Sequence, residues 1–198
     1  MNGPNSSHNN RTKVRRIVLP AALGAIGFVL MLFEIMLPLF PDFLKYDAGD
    51  VPALLTGTLL GPAGAAWAEV VKNVLFFLSG KGASGWIGSA ANLVAGLALV
   101  VPFAFLARRG VSQIVALTVG ILSTTAVMVA ANYYFFFPAY GLAGGAATKL
   151  LVASIIPFNI VKGFISSVVM VLIARRLPAH MFEAAVPASV RLNPRRAQ

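Results

Sequence analysis

The chain has no cysteine and only two histidines among its 198 residues, and both histidines, His8 and His180, lie in polar segments at its two ends. The absence of cysteine excludes disulfides and thiolate chemistry. Because the hydrophobic segments contain neither side chain, no metal-ligand cluster is expected there. No Ser/His/Asp arrangement and no Walker motif is present either. We therefore predict that the chain is not an enzyme and has no cofactor, and that uphill transport of a solute would need ATP hydrolysis by another chain.

Charged residues are also scarce. They make up 11% of the chain, whereas soluble domains average about 25%, and 58% of the residues are hydrophobic. Because each membrane crossing needs about 20 apolar residues, this length has room for about five to seven helices. We predict an all-α integral membrane protein, a six-transmembrane-helix bundle in the cell membrane. The predicted segments are a disordered cytoplasmic arm at 1–14, the six-helix membrane domain at 15–176 and a cytoplasmic tail at 177–198.

The net charge of +10 would suit a nucleic-acid partner, but the positions of the basic residues argue against one. In a six-span topology, Lys45, Lys81 and Lys149 are the only basic residues in the loops on the extracytoplasmic side. The positive-inside rule then places both termini in the cytoplasm. The basic residues on the cytoplasmic side are Arg11, Lys13, Arg15, Arg16, Arg108, Arg109, Arg175, Arg176, Arg191, Arg195 and Arg196.

Prolines and glycines mark the limits of the early spans. Pro38 and Pro41 are expected to end span one, and Asp50 is expected to cap span two. The Gly61-Pro62 pair separates the short second span from the third, so these two spans form either a re-entrant hairpin or a tilted pair. The six predicted spans are about 17–39, 51–60, a third beginning at 63, 86–107, 111–137 and 149–174.

Some polar residues lie inside or near these spans. Glu69 and Lys72, three residues apart, either pair with each other or line a cavity. Glu34 is either a buried partner for a cation or, as we prefer, a group near the outer interface. In span one, Ala21, Gly24 and Ala25 form a small-residue face that packs either against a helix of another protein or inside the bundle.

The most informative stretch is 155–163, at the outer end of span six. Asn159 and Lys162 lie three residues apart on one helical face, among side chains suited to lipid or a protein core. A lysine at bilayer depth costs several kcal/mol unless it has a partner or a wet cavity. Asn132 lies just inside an aromatic cluster at 133–140, which an interfacial aromatic belt would also explain. These residues predict a small-molecule pocket with apolar walls and few hydrogen bonders, suited to a flat, uncharged ligand with an amide-like edge.

The chain resembles a known family of membrane transport subunits over about residues 15–176. The resemblance is to the riboflavin-specific substrate-binding (S) components of energy-coupling factor (ECF) transporters. The most specific of the matching motifs is the last. The motifs are Leu44-Lys45-Tyr46-Asp47, Asp50-Val51-Pro52-Ala53-Leu54, Gly61-Pro62, Glu69-x-x-Lys72-Asn73, Asn92 and Pro157-Phe158-Asn159-x-x-Lys162-Gly163.

The resemblance implies both a ligand and partners. It implies that a vitamin site near the outer surface binds riboflavin, and that the bundle topples in the bilayer to deliver it inward. A transmembrane coupling (T) protein and two ABC ATPases are the implied partners, docked on Ala21 and Ala25. The implied substrate-binding residues are Asn132, Asn159 and Lys162, the ligand-covering loop Leu44, Lys45, Tyr46 and Asp47, and, in the glycine loop at 82–85, Ala83 and Gly85.

Other interpretations stay open. The chain could be an S component for another vitamin, such as thiamine, folate or pantothenate. An intramembrane enzyme would need a reactive group such as paired carboxylates, and nothing in the sequence brings Glu34 and Glu69 together. A purely structural membrane subunit would leave Asn132, Asn159 and Lys162 without a role beyond helix–helix hydrogen bonding.

Overall fold

The computed structural model describes residues 4–81 and 85–178, and the fold is built almost entirely of helices. Residue Ala83 and most of the predicted tail at 177–198 lie outside the described residues. Within the described part there are six helices and one short hairpin. In chain order these are α1 Pro4–Met31, β1 Ile35–Met36, β2 Lys45–Tyr46, α2 Asp50–Leu60, α3 Pro62–Leu78, α4 Gly85–Arg108, α5 Gln113–Ala139 and α6 Gly144–Ala174.

Helix α1 differs from the prediction at both ends. It begins at Pro4 and so continues through the segment that we predicted to be disordered, where no glycine or proline between residues 5 and 19 interrupts it. It ends at Met31 and not near Leu39. The following residues form an antiparallel hairpin, in which Ile35 pairs with Tyr46 and Met36 with Lys45. Continuing the helix through Pro38 would cost a backbone hydrogen bond, because proline has no N–H.

The small-residue face of α1 packs inside the bundle. A Cβ added at Gly24 would lie 2.6 Å from the carbonyl oxygen of Ala68 on α3, and one at Gly27 would lie 2.7 Å from that of Gly49. Only glycine permits such close approach of two backbones. Ala21 and Ala25 are half-buried beside this contact.

Helices α2 and α3 form a short pair around Gly61. Gly61 has φ +80°, a left-handed conformation that favours glycine, and Pro62 starts α3. At 1.5 Å per residue, the 11 residues of α2 are about 17 Å long, too short to cross a bilayer core of about 30 Å alone. Most of α2 is buried in the hydrophobic core, including Leu54 with no exposed surface.

The three C-terminal helices are the long apolar ones. Among the described residues, α4, α5 and α6 are each long and apolar enough to cross a membrane. Their outward side chains are large and apolar: Ile114 is 78% exposed and Phe164 62%. Both α5 and α6 contain one wider π-helical turn, at Asn132–Phe136 and Leu151–Ile155. Such turns are rare and are frequent at functional sites.

Candidate functional site

The segment 32–49 between α1 and α2, which contains the hairpin, is called the hairpin loop. A cavity of about 110 Å³ lies where this loop meets α4, α5 and α6. Its walls are mainly apolar and aromatic, with a few amide and ammonium groups. Both π-helical turns contribute to this end of the bundle. The lining residues are Phe43, Leu44, Lys45, Gly88, Ala91, Asn92, Met128, Asn132, Phe136, Phe137, Tyr140, Ile155, Phe158, Asn159 and Lys162.

Asn132 and Asn159, which we call the asparagine pair, contribute to the cavity in the same way. Each side chain is about 95% buried, with 6% and 5% exposed, respectively. The Nδ2 of Asn132 donates a 2.8 Å hydrogen bond to the carbonyl oxygen of Met128, and the Nδ2 of Asn159 donates one of 2.8 Å to that of Ile155. No described residue donates to either Oδ1. Each amide is therefore fixed by its own helix and keeps its oxygen as an acceptor.

Lys162 joins the cavity to the hairpin loop. Its Nζ lies 2.8 Å from Oδ2 of Asp47 and 3.5 Å from Oδ2 of Asp50, and the side chain is almost completely buried. A buried ammonium needs a paired and hydrogen-bonded carboxylate, and here the chain supplies two. The ion pair with Asp47 fixes the end of the loop to α6.

These groups belong to a larger buried cluster, the ion network, formed by Asp47, Asp50, Glu69, Lys72 and Lys162. Lys72 pairs with Asp50, and its Nζ lies 2.7 Å from Oε2 of Glu69. Every charged group in it has an opposite charge within 4 Å. The network joins α2, α3 and α6 to the hairpin loop.

Asn92 connects the ion network to the cavity. Its Oδ1 accepts from Lys72 Nζ at 3.3 Å, and its Nδ2 donates to Oδ2 of Asp47 at 3.3 Å. Asn92 also lines the cavity. Asn92 therefore contacts two charged groups of the ion network and also forms part of the cavity wall.

The structure tests the predictions for three acidic residues. The alternative that Glu69 pairs with Lys72 is confirmed. The capping role predicted for Asp50 is wrong, because Asp50 lies inside the first turn of α2 and makes no cap hydrogen bond. Its carboxylate instead faces two lysines from other helices, which no local sequence pattern could indicate. Glu34 forms a partly buried ion pair of 3.0 Å with Lys45, so it is a cation partner in the segment between α1 and α2 and not in the core.

The predicted ligand-covering residues Leu44 to Asp47 divide into two parts. Leu44 and Lys45 line the cavity, whereas Tyr46 and Asp47 are buried behind it. Burial raises the pKa of the Tyr46 hydroxyl, which keeps this side chain neutral. The loop therefore presents its first two residues to the cavity and anchors itself with the next two.

The remaining predicted residues lie elsewhere. Gly85 is exposed at the start of α4, with φ +58°, and does not line the cavity. Tyr133 and Tyr134 are exposed and contact each other edge to face, at 5.1 Å between ring centroids, as an interfacial aromatic belt would. Tyr140, predicted for the same belt, lines the cavity. Phe43, Phe136 and Phe158 were not predicted, because an apolar residue in a hydrophobic chain carries no signal for one neighbour over another.

Comparisons with known proteins agree on one family. A family model described as "ECF transporter, substrate-specific component" matches residues 15–174. The riboflavin transporter FmnP of Bacillus subtilis (strain 168) is 36% identical over 176 residues, which cover 83% of this chain and 93% of that protein. The riboflavin transporter RibU of Staphylococcus aureus (strain TCH60) is 33% identical over 177 residues, which cover 85% and 93%.

A solved structure has the same fold. It is described as "Structure and mechanism of the S component of a bacterial ECF transporter" and superposes with a TM-score of 0.74 at 30% identity. The superposition covers 85% of this chain and 98% of the solved one. The likeness therefore extends over nearly all of that protein.

Proposed function

The chain belongs to the substrate-specific components of ECF transporters, and from that membership we propose that it is the riboflavin-binding subunit of a vitamin importer. Two similar proteins are named riboflavin transporters, and they match most of its length. The observation that carries the proposal is the asparagine pair, two buried amides whose oxygens are open in a cavity with aromatic walls.

The chemistry of this cavity suits a flavin. The flavin ring system is flat and has an imide edge, with one N–H between two carbonyls, and the ribityl chain carries hydroxyls. Asn132 and Asn159 supply acceptors for the N–H or the hydroxyls, and Lys162 supplies a donor for a carbonyl. Phe136, Phe158 and their neighbours enclose the ring. Stacking adds only about 0.5–1.5 kcal/mol per aromatic pair, so the hydrogen bonds set the specificity.

Binding requires the cavity to open further. Its volume is about 110 Å³, whereas pockets for drug-sized ligands have about 300–1,000 Å³. The wall best able to move is the loop segment 43–45. It belongs to a hairpin held by strands of only two residues each, and not to a long helix. We expect this loop to withdraw for entry and to close over the bound vitamin.

The rest of the importer is also part of the proposal. The chain lies in the cell membrane as a multi-pass protein of six spans with both termini in the cytoplasm. A T protein and two ABC ATPases supply the energy, and the T protein docks on α1 beside Ala21 and Ala25. The half-buried state of these two alanines leaves part of their surface for such a contact. We also propose the role in covering the ligand that the resemblance implies for Gly85, which does not line the cavity in its present form.

The test is a binding titration on the full-length protein in detergent. Riboflavin fluorescence is expected to be quenched to a saturating level with one ligand per chain. Excess thiamine, folate or pantothenate should leave the quenching unchanged. An absence of flavin binding, together with binding of one of these other vitamins, would reject riboflavin and favour an S component of different specificity.

A further inference from the structure

A second concave site lies on the outer surface of the bundle, far from the cavity. It is a groove of about 340 Å³ between α5 and α6, near the residues where α5 begins and α6 ends. No residue that lines the groove also lines the cavity. Most of its lining is apolar, including Ile114, Leu117, Ile121, Phe164 and Val168.

Two hydroxyl residues, Ser167 and Thr118, line the groove without offering it a free hydrogen-bond donor. Its side chain is 5% exposed, and its Oγ has no hydrogen-bond partner among the described residues. Thr118, across the groove, donates instead to the carbonyl oxygen of Ile114 at 2.9 Å. The Ser167 oxygen has less than 1 Å² of accessible surface, so a ligand in the groove does not reach it. Apart from Arg175, the groove therefore meets a ligand mainly through apolar contacts.

Arg175 places a positive charge at one end of the groove. It is exposed directly after α6, and no carboxylate of the described residues pairs with it. The whole range 85–178 contains no aspartate or glutamate. Arg176 follows it, and Arg108 and Arg109 end α4 at the same end of the bundle. This end of the protein therefore attracts an anion that the described part of the chain does not supply.

An anionic phospholipid combines the two properties that the groove requires. Its acyl chain matches the apolar walls, and its phosphate matches Arg175. Both helices that form the groove are long and apolar enough to cross a membrane, and exposed apolar residues such as Ile114 and Phe164 line it, which suits contact with lipid. Basic residues next to a span attract anionic headgroups at about 1 kcal/mol each.

We propose that the groove binds one anionic phospholipid, with its phosphate on Arg175 and an acyl chain between α5 and α6.

The test compares lipid retention in four versions of the full-length protein by native mass spectrometry. Phosphatidylglycerol and phosphatidylcholine with identical acyl chains are offered separately. Arg175→Gln removes the groove charge, and Arg176→Gln is the matched control outside the groove lining. Thr118→Phe fills the groove from an exposed position. Size-exclusion chromatography and thermal melting establish that every variant is folded, independently of any vitamin.

The proposal predicts a specific order of retention. The unmodified chain and Arg176→Gln should keep phosphatidylglycerol. Arg175→Gln should keep about fivefold less of it, which corresponds to the contribution of one basic residue to binding an anionic headgroup. Thr118→Phe should lose both lipids. Equal retention of the two lipids by the unmodified chain would overturn the proposal. So would equal losses in Arg175→Gln and Arg176→Gln, which would show diffuse surface charge and no groove site.

Discussion

The ion network and the asparagine pair are both buried and polar, but they use their hydrogen-bonding groups differently. In the network every charge has an opposite charge from the same chain. In the pair, each amide nitrogen bonds to its own helix and each oxygen has no donor among the described residues. The network therefore holds the helices together, whereas the pair leaves two amide oxygens available as acceptors at the cavity. Lys162 belongs to both regions, because it pairs with Asp47 and lines the cavity.

The largest effect is expected at the centre of the network. Lys72→Met would leave both Asp50 and Glu69 without their nearest cation, in a site with almost no solvent contact. Breaking a buried ion pair by removing one partner costs about 3–5 kcal/mol. We expect the free energy of unfolding in detergent to fall by that amount, with a lower Tm. Lys149→Met makes the same exchange at an exposed position and should change Tm little. Similar Tm values for the two variants would contradict the structural role of the network.

Lys162→Met tests the residue that the two regions share. Asp47 would lose its 2.8 Å partner, while Asp50 would keep Lys72. The cost should be about 1.5–3 kcal/mol, the range for a hydrogen bond to a charged group, and so smaller than for Lys72→Met. Riboflavin affinity should also fall at least about tenfold, which one lost hydrogen bond of this kind would produce. A variant that loses stability but binds riboflavin normally would place Lys162 in the network alone.

Asn159→Ala separates binding from stability most directly. We expect the Kd for riboflavin to rise at least about tenfold, because an unpaired polar group on the ligand costs about 1–3 kcal/mol. Asn73→Ala is the matched control, since Asn73 is also buried and also donates to the carbonyl four residues earlier, at 2.9 Å. Asn73 does not line the cavity. It bonds to Glu69 in the network, so its loss should lower Tm and leave the Kd unchanged. Equal Kd values for both variants would remove the distinction between the regions.

The sequence allowed part of this site to be predicted because that part is local. Asn159 and Lys162 share a helical face by their spacing, and the structure places both at one cavity with Asn132. The glycine at 61 and the proline after it correctly separated two helices. The lysine at 162 was also correctly treated as a group in need of a partner.

The partner itself could not be predicted. Asp47 lies 115 residues before Lys162, and no periodicity connects a loop residue to a helix so far along the chain. The capping role expected for Asp50 was wrong for the same reason, since a helix-start position favours a local bond until a distant lysine competes for the carboxylate. The π-helical turns beside Asn132 and Asn159 also depend on packing and have no simple sequence signal.

The smallest effect is expected at the hairpin loop, outside both buried regions. Glu34→Gln removes the ion pair with Lys45, in which both side chains are 24% exposed. Exposed pairs contribute about 0–1 kcal/mol, so Tm should barely change. Lys45 belongs to the loop segment 43–45, which we propose moves to admit the ligand. The rates of riboflavin association and dissociation should therefore both rise, by less than about fivefold. Because both rates rise together, the Kd should stay nearly constant. High salt screens such pairs and should produce the same acceleration in the unmodified chain. Stopped-flow fluorescence measures both rates, and a rise in the dissociation rate alone, which would raise the Kd, would mean that Glu34 acts on the cavity and not on the loop.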